Sequence, residues 1–281
     1  MLRVNAKMNV ERLTPKQFEL FQKFIYERSG IKIEISKVTL VSNRIRRRLN
    51  AATHPDFDSY YRFLTSKTGE HEIEDFLDAI TTNETSFFRT MTNFEWLKND
   101  YVKELLKDKS EGKRAPALRV WSAACSSGEE PYSIAMCLSE LSVPLRGWQI
   151  DILGTDISET TLKLARKGVY RNRTMQSLDE AKIRRYFSEE SPDHYKLRPL
   201  IAEMVRFKNH NLMQLLHEQP FDCIWLRNVL IYFDRDSKAK VIDNLVRSLA
   251  RGGYLVVGPS EGVYDMLGML QKRGTFLYQK P

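Results

Sequence analysis

The sequence predicts an α/β fold for the larger part of the chain, preceded by a small helical domain. Three observations carry that prediction. The first is the run Val120-Trp121-Ser122-Ala123-Ala124-Cys125-Ser126-Ser127-Gly128-Glu129-Glu130-Pro131-Tyr132-Ser133. An apolar strand at Leu118-Arg119-Val120-Trp121 gives way to tiny residues ending in Gly128, and Ile134, Leu138 and Leu141 then recur at helical spacing. The second is another apolar strand, Gln149-Ile150-Asp151-Ile152-Leu153-Gly154, which ends in Thr155-Asp156. The third is that residues 14–82 carry apolar residues at helical spacing, as in a small bundle.

Strand, small-residue turn and helix form the geometry that binds a nucleoside cofactor at the carboxyl edge of a parallel sheet. Small residues let backbone approach a ligand closely. Only Gly128 stands where a dinucleotide fingerprint needs three glycines. An acid at the end of the second strand, here Asp156, holds ribose hydroxyls in such folds. A ribose without cradled phosphates fits S-adenosylmethionine better than a dinucleotide. The alternative is an ordinary α/β sheet in which Asp156 caps the next helix. Cys125 reads as a small residue in a tight turn rather than as a nucleophile.

The chain has 281 residues and 42% hydrophobic content, enough for a real core in one large domain or two unequal ones. Its three cysteines, Cys125, Cys137 and Cys223, lack metal-ligand spacing. With no secretory signal and no apolar run of membrane-spanning length, the expectation is a cytoplasmic protein without a metal and without membrane insertion. The formal net charge of +8 is concentrated at one end: residues 1–48 hold 12 basic and 4 acidic side chains, and the remainder holds 32 of each. An acidic partner is expected at the amino-terminal segment.

Thr14-Pro15-Lys16-Gln17 is a helix start, with a capping threonine, an early proline and a glutamine three residues on. Phe18, Phe21 and Ile25 form its apolar face and Gly30 stops it. A second helix from about Lys37 turns Val38, Val41, Ile45 and Leu49 inward. Beside them Lys37, Arg44, Arg47 and Arg48 share a sector of roughly 100°. Cations on a helix are often only a solvated face. Arg44, Arg46, Arg47 and Arg48 fall densely enough that a docking face is expected instead. His54-Pro55 ends this helix, Phe57–Leu64 begins another, and Glu72–Ile80 is a fourth.

The polar string Thr81-Thr82-Asn83-Glu84-Thr85-Ser86-Phe87-Phe88-Arg89 is too rich in hydrogen-bonding groups for a plain linker. Helices are expected at 94–107, from Ser158 to about Lys167, at 178–187 and near 236–250. Tyr195–Arg198 and Met204–Lys208 alternate apolar and polar residues, the pattern of half-exposed antiparallel strands, so 172–207 is expected to be an inserted β subdomain. Phe221–Leu226 and Tyr254–Gly258 continue the main sheet, and Phe276–Gln279 is an edge-type strand. The expected organisation is a helical domain at 1–82, a segment at 83–93 that contributes to the cofactor site, and an α/β domain at 94–281.

With these pieces placed, the chain resembles the CheR family of chemotaxis-receptor methyltransferases from about residue 14 to its end. The carriers are Thr81–Arg89, Trp121–Ser133 and Leu226-Arg227-Asn228-Val229-Leu230-Ile231-Tyr232-Phe233, in the family's order and spacing. The resemblance implies a Rossmann-like S-adenosylmethionine-dependent methyltransferase domain that modifies glutamate side chains of chemoreceptors and releases S-adenosylhomocysteine. It implies cofactor contacts from Asn83, Thr85, Arg89, Glu130, Asp156, Asn211, Leu212, Asn228 and Val229. Arg89 would orient the incoming carboxylate, and Tyr232 would sit near the transferring methyl. Apart from the resemblance, Asn211 reads as a turn cap and Tyr232 as a core aromatic. The implied partner is the cytoplasmic helical bundle of chemoreceptors, met by a monomer.

A methyltransferase for RNA or another protein is the main rival, encouraged by a pI near 9.3. It would interleave aromatics with its basic stripe, and residues 36–50 contain none, so no nucleic-acid partner is expected. The Asn228-Val229 stretch also lacks the Pro-Pro-Tyr of amino-group methyltransferases. A non-catalytic docking protein is the third class, and it would have lost cofactor residues that this chain keeps. Family members that grip a receptor tail share a Gly-x-Gly turn in the β subdomain. Here Phe187–Tyr195 has no glycine, so no tether is expected.

Overall fold

The computed structural model describes residues 12–281, so the first eleven residues of the basic segment lie outside it. Contacts divide the chain into two units. One comprises the described part of Met1–Thr82 together with Tyr232–Asp234, and the other comprises Asn83–Ile231 with Arg235–Pro281.

The helical unit contains α1 (Pro15–Ser29), α2 (Val38–Ala51), α3 (Phe57–Leu64) and α4 (Glu72–Ile80). Thr14 and Gln17 cap α1 reciprocally, and Gly30 ends it at φ 74°, a left-handed conformation that glycine adopts without steric cost. Its core is aromatic, with Phe21 stacked on Phe76 at 6.0 Å and edge-on to Tyr61 at 5.3 Å. The loop Tyr232–Asp234 joins this unit through a bridge between Ile31 and Phe233 and a bond from Lys32 N to Tyr232 O at 2.9 Å.

Two of the predicted docking arginines are consumed inside this bundle. The Arg44 guanidinium donates to the carbonyls of Ile80 and Thr81 and to Thr82 Oγ1, closing the carboxyl end of α4, where last-turn carbonyls lack helical partners. Arg48 binds Glu72 through two bonds of 2.9 and 2.7 Å and reaches Asp75 at 2.8 Å. Arg46 is half-buried and bonds Asn43. Lys37 and Arg47 stand exposed, with the Lys37 ammonium 5.8 Å from the Tyr232 ring.

The second unit opens with α5 (Met91–Trp96), a π-helical turn at Leu97–Tyr101 and α6 (Val102–Ser110), so the helix expected from 94 begins three residues earlier. Then follow β1 (Ala117–Ala123), α7 (Glu129–Glu140), β2 (Gln149–Asp156), α8 (Glu159–Lys167), β3 (Val169–Arg171), α9 (Glu180–Tyr186), β4 (Phe187–Ser191) and β5 (His194–Leu197). The chain continues through α10 (Pro199–Ala202), β6 (Val205–Asn209), β7 (Phe221–Leu226), α11 (Arg235–Ser248), β8 (Leu249–Val257), β9 (Gln271–Lys272) and β10 (Leu277–Gln279).

The main sheet has the order β6-β2-β1-β7-β8-β10-β9, parallel from β6 to β8 and antiparallel at β10. A separate antiparallel sheet has the order β3-β5-β4. Two strand expectations need correction. Residues 204–208 are not antiparallel: as β6 they pair in parallel with β2, Val205 opposite Ile152 and Asn209 opposite Asp156. Their alternation arises because β6 is the sheet's edge, where Val205 is buried while Arg206 and Lys208 face outward to Asp151 and Glu218. The small sheet instead recruits Val169–Arg171, ahead of the expected boundary at 172. Likewise β10 is not an edge, since the two-residue β9 pairs beyond it.

The core lies on the faces of the parallel strands. Trp121, Ile152, Leu153, Ile224, Trp225 and Val256 are essentially inaccessible. Phe87 and Phe88 are buried too, with Phe87 edge-on to Tyr170 at 4.9 Å and Phe88 edge-on to Phe94 at 5.1 Å. They anchor the polar string 83–89 in this unit.

Candidate cofactor and active site

Strand order reverses between β1 and β7: the chain runs outward from β1 through β2 to β6 on one side, and from β7 to β8 on the other. Ligands of such sheets bind outside the carboxyl ends at that reversal. The turn after β1 is shaped for close approach. Ala124 (φ 60°), Ser126 (φ 51°) and Gly128 (φ 93°) all adopt the left-handed region. Gly128 is required for packing as well, because a Cβ there would lie 2.9 Å from the Ala165 Cβ and 3.1 Å from the Tyr132 ring.

Asp156, at the end of β2, binds this turn directly. Its carboxylate accepts Ser126 N at 2.8 Å and Ser158 N at 2.9 Å. The second bond sits at the start of α8, so the helix-end role weighed from the sequence is present alongside the link to the turn. Ser126 Oγ in turn donates to the Asn83 carbonyl at 3.1 Å, which draws the 83–89 string to the same edge. His210 N donates to the Asp156 carbonyl at 2.9 Å and brings the end of β6 there as well. Asn211 follows, its side-chain oxygen accepting Met213 N at 3.0 Å, and the neighbouring Leu212 is buried.

Glu130, in the first turn of α7, spans β1 and β7. It accepts Ser122 Oγ at 2.7 Å and the Arg227 guanidinium at 3.0 Å. Arg227 is almost wholly buried, and its Nε and Nη2 lack protein partners. Asn228, next along, is left-handed at φ 59°. Its amide and those of Val229 and Leu230 donate to the buried Glu261 carboxylate, the latter two at 3.2 and 2.7 Å.

Asn83, Glu130, Asp156, Asn211, Leu212, Asn228 and Val229 therefore sit on segments that meet at the carboxyl edge. Thr85 is half-buried on the string bound there, and Arg89 is exposed, donating to the Glu84 carbonyl at 3.2 Å. Tyr232 groups by its contacts with the helical unit. Sequence reasoning passed over Ser122, Ser126, Arg227 and Glu261. Arg227 lay within a motif that was singled out; Glu261 had no local signal.

Electrostatics distinguish two adjacent acids. Glu129 is buried, and burial pushes its carboxyl up to about 7 against the pull of the Ser127 hydroxyl at 2.7 Å. Glu130 is ion-paired. His210 is lowered to about 4, chiefly by burial and then by Lys208, so its ring is neutral at physiological pH. Among the described residues no group of three or more His, Cys, Asp and Glu side chains is placed to hold a metal ion, and no helix is long and apolar enough to cross a membrane.

Residues 83–276 match the family described as CheR methyltransferase, SAM binding domain, and residues 16–81 match CheR methyltransferase, all-alpha domain. Chemotaxis protein methyltransferase 2 of Vibrio cholerae is 34% identical over 259 residues, covering 91% of this chain and 88% of that protein. The chemotaxis protein methyltransferase of Listeria monocytogenes is 37% identical over 250 residues, covering 89% and 91% respectively. That of Escherichia coli K12 is 34% identical over 272 residues, covering 95% and 91%. Matched in both units and along most of its length, the chain belongs to the CheR methyltransferase family, with an S-adenosylmethionine-binding α/β domain behind an all-helical one.

Proposed function

We propose that the protein methylates glutamate side chains of chemoreceptor cytoplasmic domains, forming glutamyl methyl esters. The observation that carries this reading is the match along both units to proteins named chemotaxis protein methyltransferases. The site supports it. Glu130 accepts one hydrogen bond at each oxygen, and a carboxylate offers about four acceptor positions, so it retains capacity for hydroxyl or ammonium donors. Asp156 ends β2, and an acid at that position holds ribose in such folds, which supports the reading. With small residues at 122–128 and no glycine-rich phosphate cradle, this set fits S-adenosylmethionine.

When bound, that cofactor supplies a methyl group on a sulfonium. A glutamate side chain ionises near a pKa of about 4.3, so at neutral pH the acceptor is already a nucleophile and needs no general base. The chain's work is then positioning, which alone supplies large accelerations when reacting groups are held in line. Arg89, exposed on the cofactor string, would orient the acceptor carboxylate by paired bonds. That grip must be loose in the ground state to favour the transition state.

Receptor docking falls to Lys37, Arg46 and Arg47, because Arg44 and Arg48 are committed to the fold. A receptor-tail tether is not part of this proposal. The β4–β5 hairpin turns at Pro192-Asp193 with Asp193 at φ 65°, and it carries Glu189 and Glu190 on the approach. Such a tight acidic turn is a poor host for an added acidic peptide strand. The test is transfer of labelled methyl to purified receptor cytoplasmic domains. Base-labile label on receptor is expected, at equal rates for intact and tail-deleted receptor. Base-stable label, or label on RNA alone, would refute the substrate; micromolar binding of a free tail peptide in calorimetry would refute the untethered mode.

A further inference from the structure

Glu261 is fully buried, and the Lys238 ammonium is among the charges that bear on it. A buried carboxylate is costly unless hydrogen bonds satisfy it. Here three consecutive backbone amides do so, those of Asn228, Val229 and Leu230. Successive amides converge on one anion only where the backbone curls into a nest, and the left-handed Asn228 supplies that curl. Space for the carboxylate depends on Gly258, since a Cβ there would lie 2.6 Å from Glu261 Oε1. Lys238 fixes the other side, its ammonium donating to the Glu261 carbonyl at 2.7 Å.

The nest lies at the carboxyl end of β7, one residue beyond the Arg227 that pairs with Glu130. We infer that Glu261 is a positioning residue that builds the Asn228–Leu230 turn in the shape that receives the cofactor, before the cofactor arrives. This rests on the reading that Asn228 and Val229 touch the cofactor. Glutamine in place of Glu261 keeps one acceptor oxygen but turns an NH2 donor toward amides that are themselves donors. At least one amide then loses its acceptor, and the turn is free to relax.

The experiment uses the full chain. Glu261→Gln and Asn228→Ala are titrated calorimetrically with S-adenosylhomocysteine, with melting temperature and steady-state kinetics measured alongside. Glu261→Gln should raise the Kd and the KM for S-adenosylmethionine about tenfold, with a smaller effect on kcat, the scale expected for one poorly satisfied hydrogen-bonded group. If Asn228→Ala weakens binding and a folded Glu261→Gln does not, the positioning role is overturned. If neither variant changes affinity, the turn does not touch the cofactor and the underlying reading fails with it. Hydrogen exchange on the parent protein covers the case in which Glu261→Gln does not fold. The amides of Asn228, Val229 and Leu230 should be protected without cofactor; rapid exchange that slows only on cofactor binding would overturn the inference.

Discussion

Arg47 and Arg48 are neighbours on α2, yet the structure predicts opposite outcomes for their loss. The Arg48 side chain is 24% exposed and that of Glu72 only 6%, so this pair is shielded from solvent. The link to Asp75, whose side chain is 55% exposed, is discounted to well under 1 kcal/mol. In Arg48→Ala, Glu72 loses both guanidinium bonds and keeps only the Tyr60 hydroxyl at 2.7 Å. Removing one partner of a buried pair costs about 3–5 kcal/mol. Because part of the gap is open to water, the lower end applies, about 3 kcal/mol. With a urea slope of about 1–3 kcal/mol per molar, the midpoint of the helical unit should fall by roughly 1–3 M.

The assay separates the units without cutting the chain. All four tryptophans, Trp96, Trp121, Trp148 and Trp225, lie in the second unit, so far-UV circular dichroism reports both units and tryptophan fluorescence reports one. Arg48→Ala should move an early dichroism transition and leave the fluorescence transition in place. Arg47→Ala, at an exposed position, should stay within about 0.5 kcal/mol of the parent. It should still slow receptor methylation, and rates for the parent should fall with salt, since exposed charges are screened over about 10 Å at 0.1 M. A variant that replaced Arg44, Arg47 and Arg48 together would mix fold loss with docking loss. Unchanged dichroism in Arg48→Ala would refute the stability argument; parental methylation by a variant carrying Lys37→Ala, Arg46→Ala and Arg47→Ala would reduce the stripe to a solvated face.

Asp156→Ala and Glu130→Ala should each weaken S-adenosylhomocysteine binding by about 1.5–3 kcal/mol, the value of a charge-assisted hydrogen bond. Asp156→Ala should also lower the melting temperature, because it leaves the amides of Ser126 and Ser158 without that acceptor; unchanged affinity in both variants would remove these acids from the site. Glu129 gives a pH prediction. Its folded carboxyl is raised from 4.5 to about 7, so its contribution to stability is complete below about pH 4.5 and is lost as pH rises through 7. At about 1.4 kcal/mol per unit, the difference amounts to about 3 kcal/mol. Relative to the parent, Glu129→Gln should gain stability across that window, as read by denaturation at a series of pH values, and parallel curves would refute the shift.

Much of the fold could be read locally. Thr14, Gln17 and Gly30 bound α1 because capping and left-handed termination act over a few residues. The strand, small turn and helix at 118–141 were legible for the same reason. What misled was alternation at 204–208, which reports one exposed face and does not distinguish an antiparallel hairpin from the edge of a parallel sheet. Only the pairing partner decides that, and β2 lies some fifty residues earlier, with Val205 opposite Ile152.

The site divides along the same line. Glu130 and Asp156 stand out as candidates because one lies in the first turn of the helix after β1 and the other ends β2, each inside its own motif, whereas Arg227 and Glu261 act on residues far away in the chain. Arg227 reaches Glu130 across 97 positions, and Glu261 reaches Asn228 across 33. A helical wheel fails in the same way on α2. It places Arg44, Arg47 and Arg48 in one sector, yet it cannot show that α4 brings Glu72 to Arg48, 24 positions on, and nothing to Arg47. In each case a charge reads as solvent-facing until the fold supplies its partner. Burial is then the discriminating quantity. An arginine with a shielded carboxylate holds the fold, and one left in water, as Arg47 is, is the kind that the proposed docking requires.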